Sequence, residues 1–132
     1  MQNRNYAYWT LVIVIITASL SLTACAGTGD PALAIESYVQ ALSDKALDLM
    51  INHSCASWEA DARIEYDSFA TVEIRLEGLS CQALSVDADT ARVECQGAII
   101  ATYGDEDQEL DLANNLYLAI LEGGDWRMCG YD

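Results

Sequence analysis

The chain has 132 residues, of which 21 are Asp or Glu and 6 Lys or Arg, for a formal net charge of −15, and 52% are hydrophobic. This size supports one small domain. Nucleic acid is excluded as a partner, because a phosphate backbone needs clustered Lys and Arg to displace its counterions. Intrinsic disorder is excluded as well, because the acids are interleaved with apolar periodicity instead of gathered in a tail.

Met1 to Tyr6 is polar with one cation, Arg4, and no charge stands between Ala7 and Ala24, where Leu11-Val-Ile-Val-Ile-Ile16 is the most apolar run. This pattern predicts an export signal over residues 1–24. A spanning helix is the alternative, since 18 uncharged residues are just long enough to cross a bilayer. The end of the segment decides between them. Leu22-Thr23-Ala24-Cys25 resembles the lipobox of bacterial lipoproteins, in which a peptidase cuts in front of a cysteine that becomes lipid-modified. The resemblance implies a Cys25 carrying two or three acyl chains, enough for stable anchoring. Ala26, not Asp, follows it, so the outer membrane, or the outer leaflet of a single-membrane cell, is the expected address. Residues 25–30 form the lipidated Cys and a short tether reaching roughly 17 Å at most. Beyond the signal, 21 acids stand against 5 basic residues, net −16, so the lipid rather than the protein surface is expected to hold the domain at the membrane.

With Cys25 assigned to lipid, Cys55, Cys81, Cys95 and Cys129 remain, an even number that reads as two disulfides in an exported domain. Cys81 and Cys95 lie symmetrically about the turn Asp87-Ala-Asp-Thr90, which places them opposite each other across a hairpin. Cys55 and Cys129 then pair by elimination. A zinc site is the alternative, but there is no CxxC spacing and His53 is the only histidine.

The domain itself spans residues 31–132. Asp30-Pro31 opens a helix, an oxygen cap followed by proline at the first helical position, and Ile35, Tyr38, Val39 and Leu42 repeat at helical spacing. A second, shorter helix presents Leu47, Met50 and Ile51 on one face, and Trp58, Ala62, Tyr66 and Phe69 predict a third. The period then becomes two. Val72, Ile74 and Leu76 alternate with Glu73, Arg75 and Glu77, and Gly78 shifts the phase so that Leu79 and Cys81 point inward across a bulge. Ala91, Val93 and Cys95 begin a second strand running to about Tyr103, while Leu110, Leu112, Leu116, Leu118 and Ile120 predict a third strand. Gly123-Gly124 turns the chain into a fourth, Trp126 to Tyr131. The expected fold class is α+β, with N-terminal helices packed on a curved four-stranded antiparallel sheet.

The segments Ala34-Ile-Glu-Ser-Tyr38-Val-Gln-Ala-Leu42, Asp44-Lys-Ala-Leu-Asp48 and Glu122-Gly-Gly-Asp-Trp126-Arg127 resemble the nuclear transport factor 2-like, or cystatin-like, superfamily. The resemblance implies a cone between helices and sheet that in some members binds an apolar ligand and in a few performs acid–base chemistry. Tyr38, Trp58, Tyr103, Tyr117 and Trp126 are the expected pocket-lining residues. Fold does not settle function.

No catalytic constellation stands out. Asp48 is the carboxylate considered beside the tyrosines, and in a helix it is ordinarily solvated. His53 is expected at a helix end, where the dipole favours a cation. Asp105-Glu-Asp-Gln-Glu109-Leu-Asp111 lacks the Gly and Glu that a calcium loop needs at its sixth and twelfth positions, and reads as a solvated hairpin loop. No metal or cofactor is implied. The expectation is a lipid-anchored, non-catalytic binding or interaction module. Its partners would be the membrane through Cys25 and either an envelope protein or a small apolar ligand. A small-molecule enzyme or apolar-ligand binder using the cone is the alternative.

Overall fold

A computed structural model describes residues 29–132; the predicted export signal, the lipobox cysteine Cys25 and the tether up to Thr28 lie outside the described residues. Three helices come first: α1 (Pro31–Ser43), α2 (Leu47–Asn52) and α3 (Glu59–Ser68). Five strands follow: β1 (Glu73–Asp87), β2 (Thr90–Tyr103), β3 (Glu106–Asp111), β4 (Leu116–Glu122) and β5 (Asp125–Tyr131). The start of α1 is as expected, with the Asp30 carboxylate accepting from Ala32 N at 2.9 Å and Pro31 filling a position that needs no donor.

The sheet runs β1-β2-β4-β5, and β3 pairs with β2 beyond the reach of β4. β2 therefore serves three neighbours. It pairs with β1 along most of its length, with β4 over Thr90–Glu94 and with β3 over Ala98–Tyr103, and the sheet curls around this shared strand. Helix α1 lies across one face. Ile35, Tyr38 and Leu42 fill the interior against Val93, Tyr117 and Met128, with Met50 of α2 closing the same core.

The expected bulge at Gly78 is present. Glu77 pairs with Ala98 and Ser80 with Gln96, so two residues of β1 face one of β2, and Leu76 and Leu79 both reach the core. The partner in this bulge is Gly97 at φ +98°, where a Cβ would stand 2.4 Å from the Glu77 carbonyl oxygen. Only glycine fits there.

Two expectations are corrected. The single third strand is two strands, β3 and β4, separated by a short 3₁₀ turn over Leu112–Asn114 in which the Asp111 side chain accepts from Ala113 N at 2.9 Å. The acidic run expected as a loop accordingly supplies β3, whose six residues are all exposed. In β4 the inward phase falls on the odd-numbered residues, among them the expected pocket residue Tyr117. Tyr117 and Ala119 are buried, because their pairing opposite Val93 and Ala91 puts them on the helix-facing side, while Leu116, Leu118 and Ile120 are half-buried on the other face.

Candidate functional site

The four domain cysteines pair as expected, Cys55 with Cys129 and Cys81 with Cys95. The two bridges indicate a non-reducing, extracytoplasmic environment. Among the described residues, no helix is long and apolar enough to cross a membrane, and no three His, Cys, Asp or Glu side chains gather to hold a metal ion.

Of the expected pocket residues, the structure brings Tyr38, Trp58 and Tyr117 together. Tyr38 points from α1 into the core, Trp58 precedes α3, and Tyr117 lies on the inner face of β4. Tyr131 at the end of β5 completes the group, edge-on to Trp58 at 5.7 Å between ring centroids and tilted against Tyr117 at 5.2 Å. Trp126 is buried, but it lines a separate groove of about 330 Å³ with Leu33, His53 and Arg127. Tyr103 is corrected: it ends β2 at 45% exposure, because the strand runs past the helices there. Asp48 is exposed on α2.

The carboxylate at this cluster is Glu65 of α3. Tyr38 donates to Glu65 Oε2 at 2.5 Å and Tyr131 to Glu65 Oε1 at 2.6 Å, so each carboxylate oxygen receives one phenol O–H. The Trp58 indole N–H donates in turn to the Tyr38 oxygen at 3.1 Å. The apolar stripe Trp58, Ala62, Tyr66 and Phe69 predicted from the sequence does not include Glu65. Yet Glu65 stands three residues from Ala62 and four from Phe69, on the helix face turned inward. A carboxylate on an otherwise apolar stripe was the available signal.

Burial pushes the Tyr38 hydroxyl far above the ordinary phenol range, and the Glu65 charge and hydrogen bond push it the same way. The same causes in the same order act on Tyr131. Burial raises Tyr117 to about 12, opposed by a hydrogen bond with the Asn115 side chain. The phenols therefore stay protonated across the physiological range and act as hydrogen-bond donors.

His53 occupies the expected helix end, as the residue after α2, with its carbonyl accepting from Met128 N at 2.7 Å. Its expected charge is corrected. Burial and the neighbouring Arg127 both lower its pKa, so the environment favours neutral imidazole over the dipole-stabilised cation.

No protein-family model matches this chain, and no curated protein matches it. Solved structures do match in fold. An NTF2-like protein with a cystatin-like fold from Novosphingobium aromaticivorans is 10% identical, with a TM-score of 0.51 over 97% of this chain and 86% of that one. A SEC-C motif containing protein from Rhodopseudomonas palustris is 15% identical, with a TM-score of 0.53 over 78% of this chain and 77% of that one. At such identities the likeness is one of fold. The chain has a nuclear transport factor 2-like, cystatin-like fold: helices followed by a curled antiparallel sheet.

Proposed function

We propose that this protein is a lipid-anchored extracytoplasmic lipoprotein whose domain works as a non-catalytic binding or interaction module. The observation that carries the reading is the cysteine arrangement. The two disulfides use all four cysteines of the domain, which leaves Cys25, at the end of Leu22-Thr23-Ala24-Cys25, as the one available for lipid. Two or three acyl chains on that residue would hold a domain of net −16 at a surface that its own charge does not favour.

The aromatic cluster supports binding over acid–base chemistry. Its phenols are donors with raised pKa values, and Glu65 has both oxygens engaged by them. A general base must aim a lone pair at a substrate proton, and the two phenol donors hold the Glu65 carboxylate turned towards themselves. The alternative reading, a small-molecule enzyme, would recruit the same cluster only with Glu65 released.

Membrane fractionation of the exported protein tests the anchor. Wild type is expected to stay with membranes through a carbonate wash, and Cys25→Ala to appear in the soluble fraction with both disulfides intact. A Cys25→Ala protein that still resists the wash would overturn the reading.

A further inference from the structure

Helix α3 is held in an unusual way for a helix on the face of a domain. Of its ten residues only Ala62 is buried, and Ile64 is 65% exposed. It has no side-chain N-cap and no basic residue in its last turn. Polar attachments supplement the packing of Ala62 and Tyr66 against the core. Before its start, Cys55 is bonded to Cys129 and its N–H donates to the Met128 carbonyl at 2.8 Å. Beyond its end, the Lys45 ammonium donates to the carbonyls of Phe69, Ala70 and Val72. Between these pins, the Glu65 carboxylate is received by Tyr38 and Tyr131, and the Tyr66 hydroxyl donates to the Lys45 carbonyl at 3.3 Å.

The donors belong to the rigid part of the molecule and the acceptor to the lightly packed part. Tyr38 is fully buried in α1, and Tyr131 is paired with Tyr117 in the sheet. Two phenol O–H groups that converge on the two oxygens of one carboxylate form a preorganised carboxylate receptor. The rings of Trp58, Tyr117 and Tyr131 supply apolar surface beside it. When α3 opens locally, Glu65 leaves with it and the two donors lose their acceptor. Tyr38 is fully buried, so leaving its O–H without a partner is costly, and an exogenous carboxylate that replaces Glu65 would be favoured there, with the 41%-exposed Tyr131 as its second donor.

We propose that Tyr38 and Tyr131 form a binding site for a small organic carboxylate, that Glu65 fills this site from within the chain, and that α3 is the lid that carries Glu65 away. The proposal rests on the reading of the domain as a binding module and names the ligand class of its aromatic cluster. Because an intramolecular carboxylate competes, the wild type binds only in the open fraction, and its apparent affinity is reduced by that fraction.

The test is chemical rescue in full-length protein purified in detergent, with propionate and benzoate as probes and chloride at matched ionic strength as the control. In Glu65→Ala, amide exchange across Asp61–Ser68 is expected to accelerate roughly tenfold or more, as suits the loss of hydrogen bonds to a charged group. Propionate should restore protection saturably and bind this variant at least about tenfold more tightly than wild type. Adding Tyr38→Phe or Tyr131→Phe to Glu65→Ala should abolish the rescue. Unchanged α3 exchange in Glu65→Ala, acceleration that propionate does not reverse, or rescue that survives both Phe substitutions would each overturn the proposal. Should Glu65→Ala not fold, Glu65→Gln serves, with faster exchange confined to α3 expected and unchanged or uniformly faster exchange overturning it. Membrane retention through Cys25 is read in a separate experiment, so failure of the anchor and failure of the carboxylate site are distinguishable.

Discussion

His53 shows how one side chain's surroundings reverse an expectation drawn from its position in a helix. The C-terminal dipole of α2 would favour imidazolium, but burial and the Arg127 guanidinium act the other way and lower its pKa from the ordinary 6.5. A base that titrates lower when folded carries fewer protons in the native state than in the unfolded one. Its contribution is therefore favourable above about pH 6.5 and is lost as the pH falls below that value towards the folded pKa. Thermal unfolding from pH 7.5 to 5 is expected to show a steeper loss of Tm for wild type than for His53→Gln, with parallel curves refuting the assignment. None of this was legible in the sequence, because Arg127 is 74 positions away and reaches the α2 terminus only through β5, where its Nη1 donates to the Asn52 carbonyl at 2.6 Å. Gly97 and Gly78 make the complementary case. The phase change around Gly78 is visible in the alternation of apolar residues, whereas the demand for glycine at 97 comes from a backbone across the sheet, 2.4 Å from its would-be Cβ.

Among the elements, those whose apolar period is decided locally were readable and those decided by a neighbour were not. Helix α1 and the turn closed by Asp87 and Thr90 follow from capping and spacing alone. Strand β4 does not, because Leu116-Tyr-Leu-Ala-Ile120 alternates equally well in either phase, and its pairing to β2 selects the face bearing Tyr117 and Ala119. The break before it comes from Asp111, whose side chain caps a turn in the middle of what leucine spacing makes one strand. Lys45, the single lysine of the chain, is an element-scale device of the same hidden kind. At φ 54° it turns the chain out of α1, and its ammonium gathers three carbonyls at the junction of α3 and β1, where the helix dipole is negative. Lys45→Met keeps the length of the stem and removes the charge-assisted bonds, at a cost of about 2 kcal/mol. Urea unfolding is the check, together with amide exchange, which should quicken first at the end of α3 and the start of β1. A variant as stable as wild type would mean that water replaces the ammonium without loss.

For the molecule as a whole, the disulfide pairing was legible because hairpin symmetry places Cys81 opposite Cys95 and leaves one choice for the rest. The carboxylate at the aromatic cluster was not, because only the packed fold brings Tyr38, Glu65 and Tyr131 together from α1, α3 and β5. The two bridges act on very different lengths of chain, 74 residues for Cys55–Cys129 and 14 for Cys81–Cys95. In the chain-entropy model their removal costs about 4 and about 3 kcal/mol respectively. The longer loop also carries a structural consequence, because Cys55–Cys129 holds the segment that pairs Ser54 with Met128 against the outer edge of β5. The double variant Cys55→Ser/Cys129→Ser is therefore expected to be the less stable of the two in urea. It should also show the larger rise in m relative to wild type, because opening the longer loop lets the unfolded chain expand and expose more surface. If the Cys81→Ser/Cys95→Ser variant instead loses more stability with m unchanged, the hairpin bridge acts through contacts in the native sheet, and loop closure is the wrong account of how this domain is stapled.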